Sequence, residues 1–416
     1  IVDRLIQILT TKQCINRCFI PKLSKNYDEG EVTTHVEFDH RNQNLDHNFE
    51  LLVESLGDLI LRDNKEASTV ISLLYILYKE LKCECECPWN NEKTKHYSKK
   101  LNSYFEVLGE LPLEVVLLQK SNFDVQKIFD KCLEVLHSKL TSEDFKKYPS
   151  LIEVFCLILA DLMKYRVKVK PQRVFPVLLL LIDDYIETNK IKGLSCCLAA
   201  LQCMKLEDFD GGNYYEVVYR SLKRTFLEKD IKITALTHAC LIQLCRIFPA
   251  DIKHDKMDDM YSGILDQIIT ESNIYRKAEC LKFTKFIIQT HKMNCVSRNS
   301  FKMIICDCLD LCTHEVVANV LLVNTLECLD QWIIHCWCIW KLSSDYKIIS
   351  ILLKILYTSQ KDDISLKIQR LIIILICLCK DNEQKKLIAN LEKANTIDNN
   401  DVFKKRVQEI KQEFLP

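Results

Sequence analysis

The chain has 416 residues, more than one compact core usually holds, so several domains or one elongated array are expected. Its 57 Lys+Arg balance its 57 Asp+Glu, which removes the global field that would gather phosphate backbones or anionic membranes. Only 7 Gly and 8 Pro supply too few turn residues for a hairpin-rich β protein, and helices joined by polar turns follow.

In chain order, Ile1 to Leu9 predicts a short apolar helix, and Ser24 to Asn48 a polar surface segment, partly disordered. Helical periodicity returns at Phe49, with Leu51, Leu52, Leu56, Leu59 and Ile60 on one face, then from Ala67 to Leu81. Tyr104 to Leu118, Val125 to Leu140 and Leu151 to Tyr165 predict further helices. Pro171 closes a basic stretch and biases Lys170 away from helical geometry, which sets a boundary. Three regions follow: 1–48, a helical region 49–170, and 171–416.

The third region carries the strongest pattern. Arg173-Val174-Phe175-Pro176 opens an apolar helix that ends on Asp183-Asp184, and a short polar turn leads to Ile191-Lys192-Gly193-Leu194. Pro176 in the first helical turn, the paired acids and the second apolar helix have the layout of a HEAT-type hairpin. Similar openings stand at Ile231, Tyr275, Val317 and Leu366, close to the period of about 40–47 residues of HEAT and armadillo repeats. One hairpin cannot bury its apolar face alone, so the expectation is an all-α, HEAT/armadillo-like α-solenoid of stacked antiparallel helix pairs, with the charged Val402–Phe414 helix as its cap.

The longest uncharged apolar runs, Val174–Ile182 and Leu371–Cys379, are about half of the roughly 20 residues a membrane helix needs, so no span is expected. Many of the 22 cysteines lie in apolar helical stretches, as small buried hydrophobes do. The start, Ile1-Val2-Asp3, is not a charged-then-apolar leader. Cytoplasm and nucleus, both reducing, are the expected compartments, and the absence of an initiator methionine leaves room for an upstream segment.

Chemistry finds little purchase. Cys83, Cys85 and Cys87, with His96 downstream, could complete a tetrahedral zinc site, but zinc pairs normally leave two to four residues between ligands and these leave one. Cys306/Cys308, Cys336/Cys338 and Cys377/Cys379 repeat that spacing within helices, where residues two apart do not face each other, and are expected in the core. Gly211-Gly212 lacks the Lys-Ser or Lys-Thr of a phosphate loop. No catalytic, cofactor or metal residue is assigned. The cations Lys164, Arg166, Lys168, Lys170 and Arg173 have one interleaved aromatic and suit a solvated face better than nucleic acid. Trp332, Trp337 and Trp340 are the partner-binding candidates, because Trp is enriched at interface hot spots, although large aromatics also fill cores.

The pattern Arg173-Val174-x-Pro176-x-x-Leu179-x-Leu181-x-Asp183-Asp184, then Gly193-Leu194, Leu198 and Leu201, resembles the Tel-two-interacting protein two family, the smallest subunit of the trimeric TTT complex. The likeness continues through Tyr214–Tyr219, Leu326 and Val402–Ile410; where the family tends to carry a Trp-Pro-Arg-like element, this chain reads Trp337-Cys338-Ile339. The resemblance implies a non-catalytic adaptor. Its implied partners are the two larger helical-repeat subunits, with a heat-shock chaperone and the PI3K-related kinases (the ATM, ATR and mTOR class), which it helps to mature and stabilise. Another HEAT scaffold, a transport receptor or a phosphatase scaffold, is the alternative.

Overall fold

The computed structural model describes residues 2–28, 35–57, 64–82, 87–109, 117, 124–209, 212–298, 300–337, 347–397 and 400–414. Among them are eighteen α-helices, three short 3-10 turns and no strand. The chain divides into two compact units, residues 1–227 with 239–247, and residues 228–238 with 248–416.

The first unit holds α1 (Val2–Cys18), α2 (Val36–Gly57), α3 (Asn64–Lys82), α4 (Glu92–Gly109), α5 (Val125–Ser142), α6 (Pro149–Tyr165), α7 (Pro171–Ile182), α8 (Glu187–Cys203), α9 (Tyr214–Thr225) and the second half of α10 (Ile231–Ile247). The second holds the first half of α10, α11 (Ala250–Thr270), α12 (Ile274–His291), α13 (Ser300–Leu311), α14 (Glu315–Cys336), α15 (Lys347–Thr358), α16 (Asp362–Cys377), α17 (Asp381–Ile397) and α18 (Asp401–Gln412).

Neighbouring helices pair, and alternate helices stack into two layers. In the first unit α5, α7 and α9 form one layer, while α6 stacks on α8 in the other. In the second, α11, α13 and α15 form one layer and α12, α14, α16 and α18 the other. The fold is the expected all-α solenoid. Helices α8, α10, α12, α14 and α16 begin at 187, 231, 274, 315 and 362, steps of 44, 43, 41 and 47 residues. Every repeat opening read from the sequence falls in the first turns of one of these helices.

Three expectations change. Residues 36–48, expected as a polar surface segment, form the first half of α2, whose buried stripe runs through Phe38, Arg41, Leu45, Phe49 and Leu52. A buried arginine in that stripe hides its periodicity. The boundary at Pro171 is the start of α7 inside the first unit, where proline's fixed φ and missing N–H suit the first helical position. Pro176 therefore lies in the second turn of α7, not the first.

The α7–α8 hairpin shows why its motif residues are what they are. Asp183 accepts from Ser221 Oγ at 2.8 Å and Arg224 Nη2 at 2.7 Å, tying the end of α7 to α9. Asp184 is buried, and accepts from Asn189 Nδ2 at 2.8 Å and Lys146 Nζ at 2.7 Å. Burial opposes the charge of Lys146, yet Asp184 outweighs it and raises the ammonium pKa. Arg173, half-exposed, reaches Glu134 of α5 at 3.8 Å, a contact worth little.

At Gly193 the two helices approach closely: an added Cβ would lie 2.8 Å from Leu181 Cβ and 2.9 Å from the Ile182 backbone nitrogen. Gly193→Ala should therefore lower stability by about 1–3 kcal/mol, overpacking outweighing the helix-propensity gain. Gly263→Ala, in α11 with nothing within 4 Å of the new methyl, should instead gain about 0.5–1 kcal/mol. Urea unfolding of both variants tests the contrast; a Gly193→Ala protein as stable as the parent would contradict the close approach.

Candidate partner-binding surface

In the α12–α14–α16 layer of the second unit, α14 exposes several large apolar residues. Helix α14 is apolar nearly all round, so after its core stripe of Leu322, Leu326, Leu329 and Ile333 is buried, apolar residues remain on the other side. Val316, Val323, Ile334 and Trp337 are exposed there, Val316 most of all at 77%. Their spacings of seven, eleven and three residues keep them on one helical face. Glu327 sits in the middle of that stripe and is clamped from both sides, by Lys285 of α12 at 2.8 Å and Lys367 of α16 at 3.4 Å. Both lysines hold its carboxyl below the usual range, the Lys285 hydrogen bond most strongly. The ladder fixes three neighbouring helices beneath an apolar ridge, on which a partner's apolar surface can be buried.

The three tryptophans are not a cluster of this kind. Trp332 is fully buried, its ring stacked on Phe301 with centroids 5.3 Å apart. It is core. Trp337, one turn on and 58% exposed, ends the ridge. Trp340 lies outside the described residues. Sequence reasoning missed Val316, Val323 and Ile334; the available signal was the surplus of apolar residues in α14 over what one buried stripe needs. That surplus also gives α14, at 22 residues and mean hydropathy 1.2, the length and composition of a membrane span, which the reading of short apolar runs did not anticipate. Its paired Glu327 and its packing against α12, α13 and α16 make it the core helix of a stack.

In the same unit, His238 of α10 stacks face to face on Phe283 of α12 at 4.5 Å. Burial, and then the Arg276 guanidinium, push its pKa down to about 3. The native value is below the unfolded one, so the unfolded chain takes up the proton first. Stability is full above about pH 6.5 and falls as pH drops toward 3. A loss of about 2 kcal/mol between pH 7 and pH 5 is expected from this residue. Denaturant titrations at both pH values should show it, and His238→Gln should flatten it; an unchanged pH dependence in that variant would remove His238 as the cause.

The described cysteines are all free thiols. Several join successive repeats: Cys240 Sγ of α10 donates to the Leu194 carbonyl of α8 at 3.3 Å, and Cys328 Sγ of α14 to the Leu281 carbonyl of α12 at 2.9 Å. Burial pushes the Cys132 thiol up to about 12, the state of an unreactive core residue. Cys306, Cys308 and Cys336 are buried as expected. Cys377 is exposed and Cys379 half-buried, because the buried face of α16 ends at Leu375 and Ile376. Cys83, Cys85 and Cys338 lie outside the described residues; Cys87 packs against Ile20, Leu23, Phe38 and Trp89. Among the described residues no group of three or more His, Cys, Asp or Glu is placed to hold a metal ion.

Helix pairs packed in two layers within each unit, at a regular repeat spacing, define a helical-repeat protein. No family model matches the chain. Among curated proteins it is similar to TELO2-interacting protein 2 of Rattus norvegicus and of Mus musculus, 24% identical to each over 157 residues. That match takes in 38% of this chain and 31% of each relative's length. Among solved structures, a chain from the complex of Kap95p with RanGDP superposes on 90% of this chain and 44% of its own length, with TM-score 0.53 and 13% identity. A likeness at that identity speaks to the repeat fold alone.

Proposed function

We propose that this chain is a non-catalytic scaffold subunit of a TTT-type cochaperone assembly, working in the cytoplasm and nucleus. In this reading it joins two larger helical-repeat subunits and, through them, a heat-shock chaperone, and serves the maturation of PI3K-related kinases. The observation that carries it is the likeness to TELO2-interacting protein 2, found in a chain whose hairpin motif resembles the same family and whose repeat spacing is that of HEAT-type helix pairs. A stacked-repeat surface also suits the gripping of another long helical protein.

Affinity purification of the tagged full chain, with mass spectrometry of what it retains, tests the assignment. Two large helical-repeat proteins in near-equal amounts, with a PI3K-related kinase in trace, are expected. Transport or phosphatase components in their place would transfer the function to another class of repeat scaffold. The ridge is testable on the same samples. Trp337→Ala should weaken retention of the large subunits by at least about tenfold, as loss of a hot-spot aromatic does, while the melting temperature stays that of the parent. Retention at the parent's level would move the interface elsewhere.

A further inference from the structure

The second unit brings together two histidines that lie far apart in the sequence. Helices α11 and α12 follow one another through a short turn and pack as an antiparallel pair, so the start of α11 lies beside the end of α12. There His254, in the second turn of α11, and His291, the last residue of α12, stand with their ring centres 4.9 Å apart. Two imidazoles on one tetrahedral zinc ion, each with a Zn–N distance of about 2.0–2.1 Å, have ring centres about 5 Å apart. The pair has that spacing.

The two rings differ in what surrounds them. His291 is 5% exposed, and its Nε2 is buried with no hydrogen-bond partner among the described residues. A buried nitrogen in that state costs free energy unless something binds it. Burial, and then the neighbouring His254 ring, lower the pKa of His291 against a weaker upward pull from Asp258, which favours the neutral ring that a metal requires. His254 is exposed, and its Nδ1 lies 3.4 Å from Asp255 Oδ1, which leaves Nε2 for a ligand. A carboxylate beside the far nitrogen is the arrangement that orients histidine ligands of metal ions. Asp258, one turn along α11 from His254, accepts from Arg298 Nη2 at 3.0 Å and Ser297 Oγ at 3.3 Å; it is committed to them and is not counted as a ligand.

We propose that His254 and His291 bind one Zn²⁺ ion through their ring nitrogens, with water in its other positions, and that the ion pins the start of α11 to the end of α12. Mg²⁺ and Ca²⁺ call for oxygen ligands, whereas imidazole suits zinc. The site is independent of the α14 ridge and of the cochaperone assignment.

The test is calorimetric titration of the full chain, reduced and freed of metal by a chelator, with Zn²⁺ alone and with Mg²⁺ alone. One equivalent of Zn²⁺ should bind, Mg²⁺ should not compete, and the melting temperature should rise with zinc concentration, as it does when an ion binds only the folded state. His254→Gln, at an exposed position, should melt as the parent does without zinc, bind zinc at least about tenfold more weakly, and lose the zinc-dependent rise. His291→Gln should show the same loss of zinc binding; should it melt early because its site is buried, His254→Gln decides alone. No binding of zinc by the parent, or zinc bound as tightly by His254→Gln as by the parent, would overturn the proposal, the second outcome placing the ion on the free thiols instead.

Discussion

Replacing Trp332 by Ala should destabilise the protein by about 3–5 kcal/mol, the cost of emptying a large buried aromatic site. The side chain is fully enclosed, with Phe301 against one face and the Lys302 ammonium 5.6 Å from the ring centre. Stacking adds to the area lost, because aromatic pairs contribute about 0.5–1.5 kcal/mol beyond burial. For a unit of this size the melting temperature should fall by about 6–20 °C. Trp332→Phe, which keeps a ring on Phe301, should recover much of that. The contrast with Trp337→Ala separates the two tryptophans: the buried one governs stability and the exposed one governs retention of partners. Equal melting of Trp332→Ala and the parent, with partner binding lost, would reverse the assignment and return Trp332 to the interface.

That contrast shows where sequence reading reached its limit. The repeat spacing was legible because α8, α10, α12, α14 and α16 open with the same turn-then-apolar pattern, and the spacing of repeats is set by helix length plus turn length. The α7–α8 hairpin was legible for the same reason: Asp183 and Asp184 hold α7 to its neighbours through side-chain contacts, and Gly193 stands where an added Cβ would lie 2.8 Å from Leu181 Cβ. Tryptophan 332 could not be told from Trp337 by composition, since five residues along a helix change the facing by more than a quarter turn and the segment between them is apolar on both sides. The first half of α2 reads as a polar tract because Arg41 is buried, its Nε donating to the Cys18 carbonyl at 3.3 Å, so the core stripe there contains a charge.

Arg276→Ala should cost about 3–5 kcal/mol, for a reason that lies in its partner more than in itself. Arg276 is buried where three helices meet: its Nε donates to Thr234 Oγ1 of α10 at 3.1 Å, one Nη to Gln267 Oε1 of α11 at 2.9 Å, and the other pairs closely with Glu271 at the end of α11. Glu271 also accepts from the Asn273 amide at 2.7 Å, and Asn273 caps α12 by accepting from the amides of Tyr275 and Arg276. One guanidinium thus fixes the turn between two helices and their stacking on a third. Burial favours the neutral acid at Glu271, but the Asn273 amide and Arg276 together outweigh it and hold its pKa below the ordinary glutamate value. A native pKa below the unfolded one gives stability that is present above about pH 4.3 and lost as pH falls through the lowered native value. Without Arg276 the buried carboxylate keeps its desolvation cost and loses the charge that offset it. The damage in Arg276→Ala should therefore shrink as pH is lowered past the point where Glu271 takes up a proton. Glu271→Gln on that background should restore part of the loss at pH 7, because it removes the unpaired charge. If the double variant is no more stable than Arg276→Ala, and the loss is the same at pH 7 and pH 4, the cost is one of packing alone and the buried charge is not its origin.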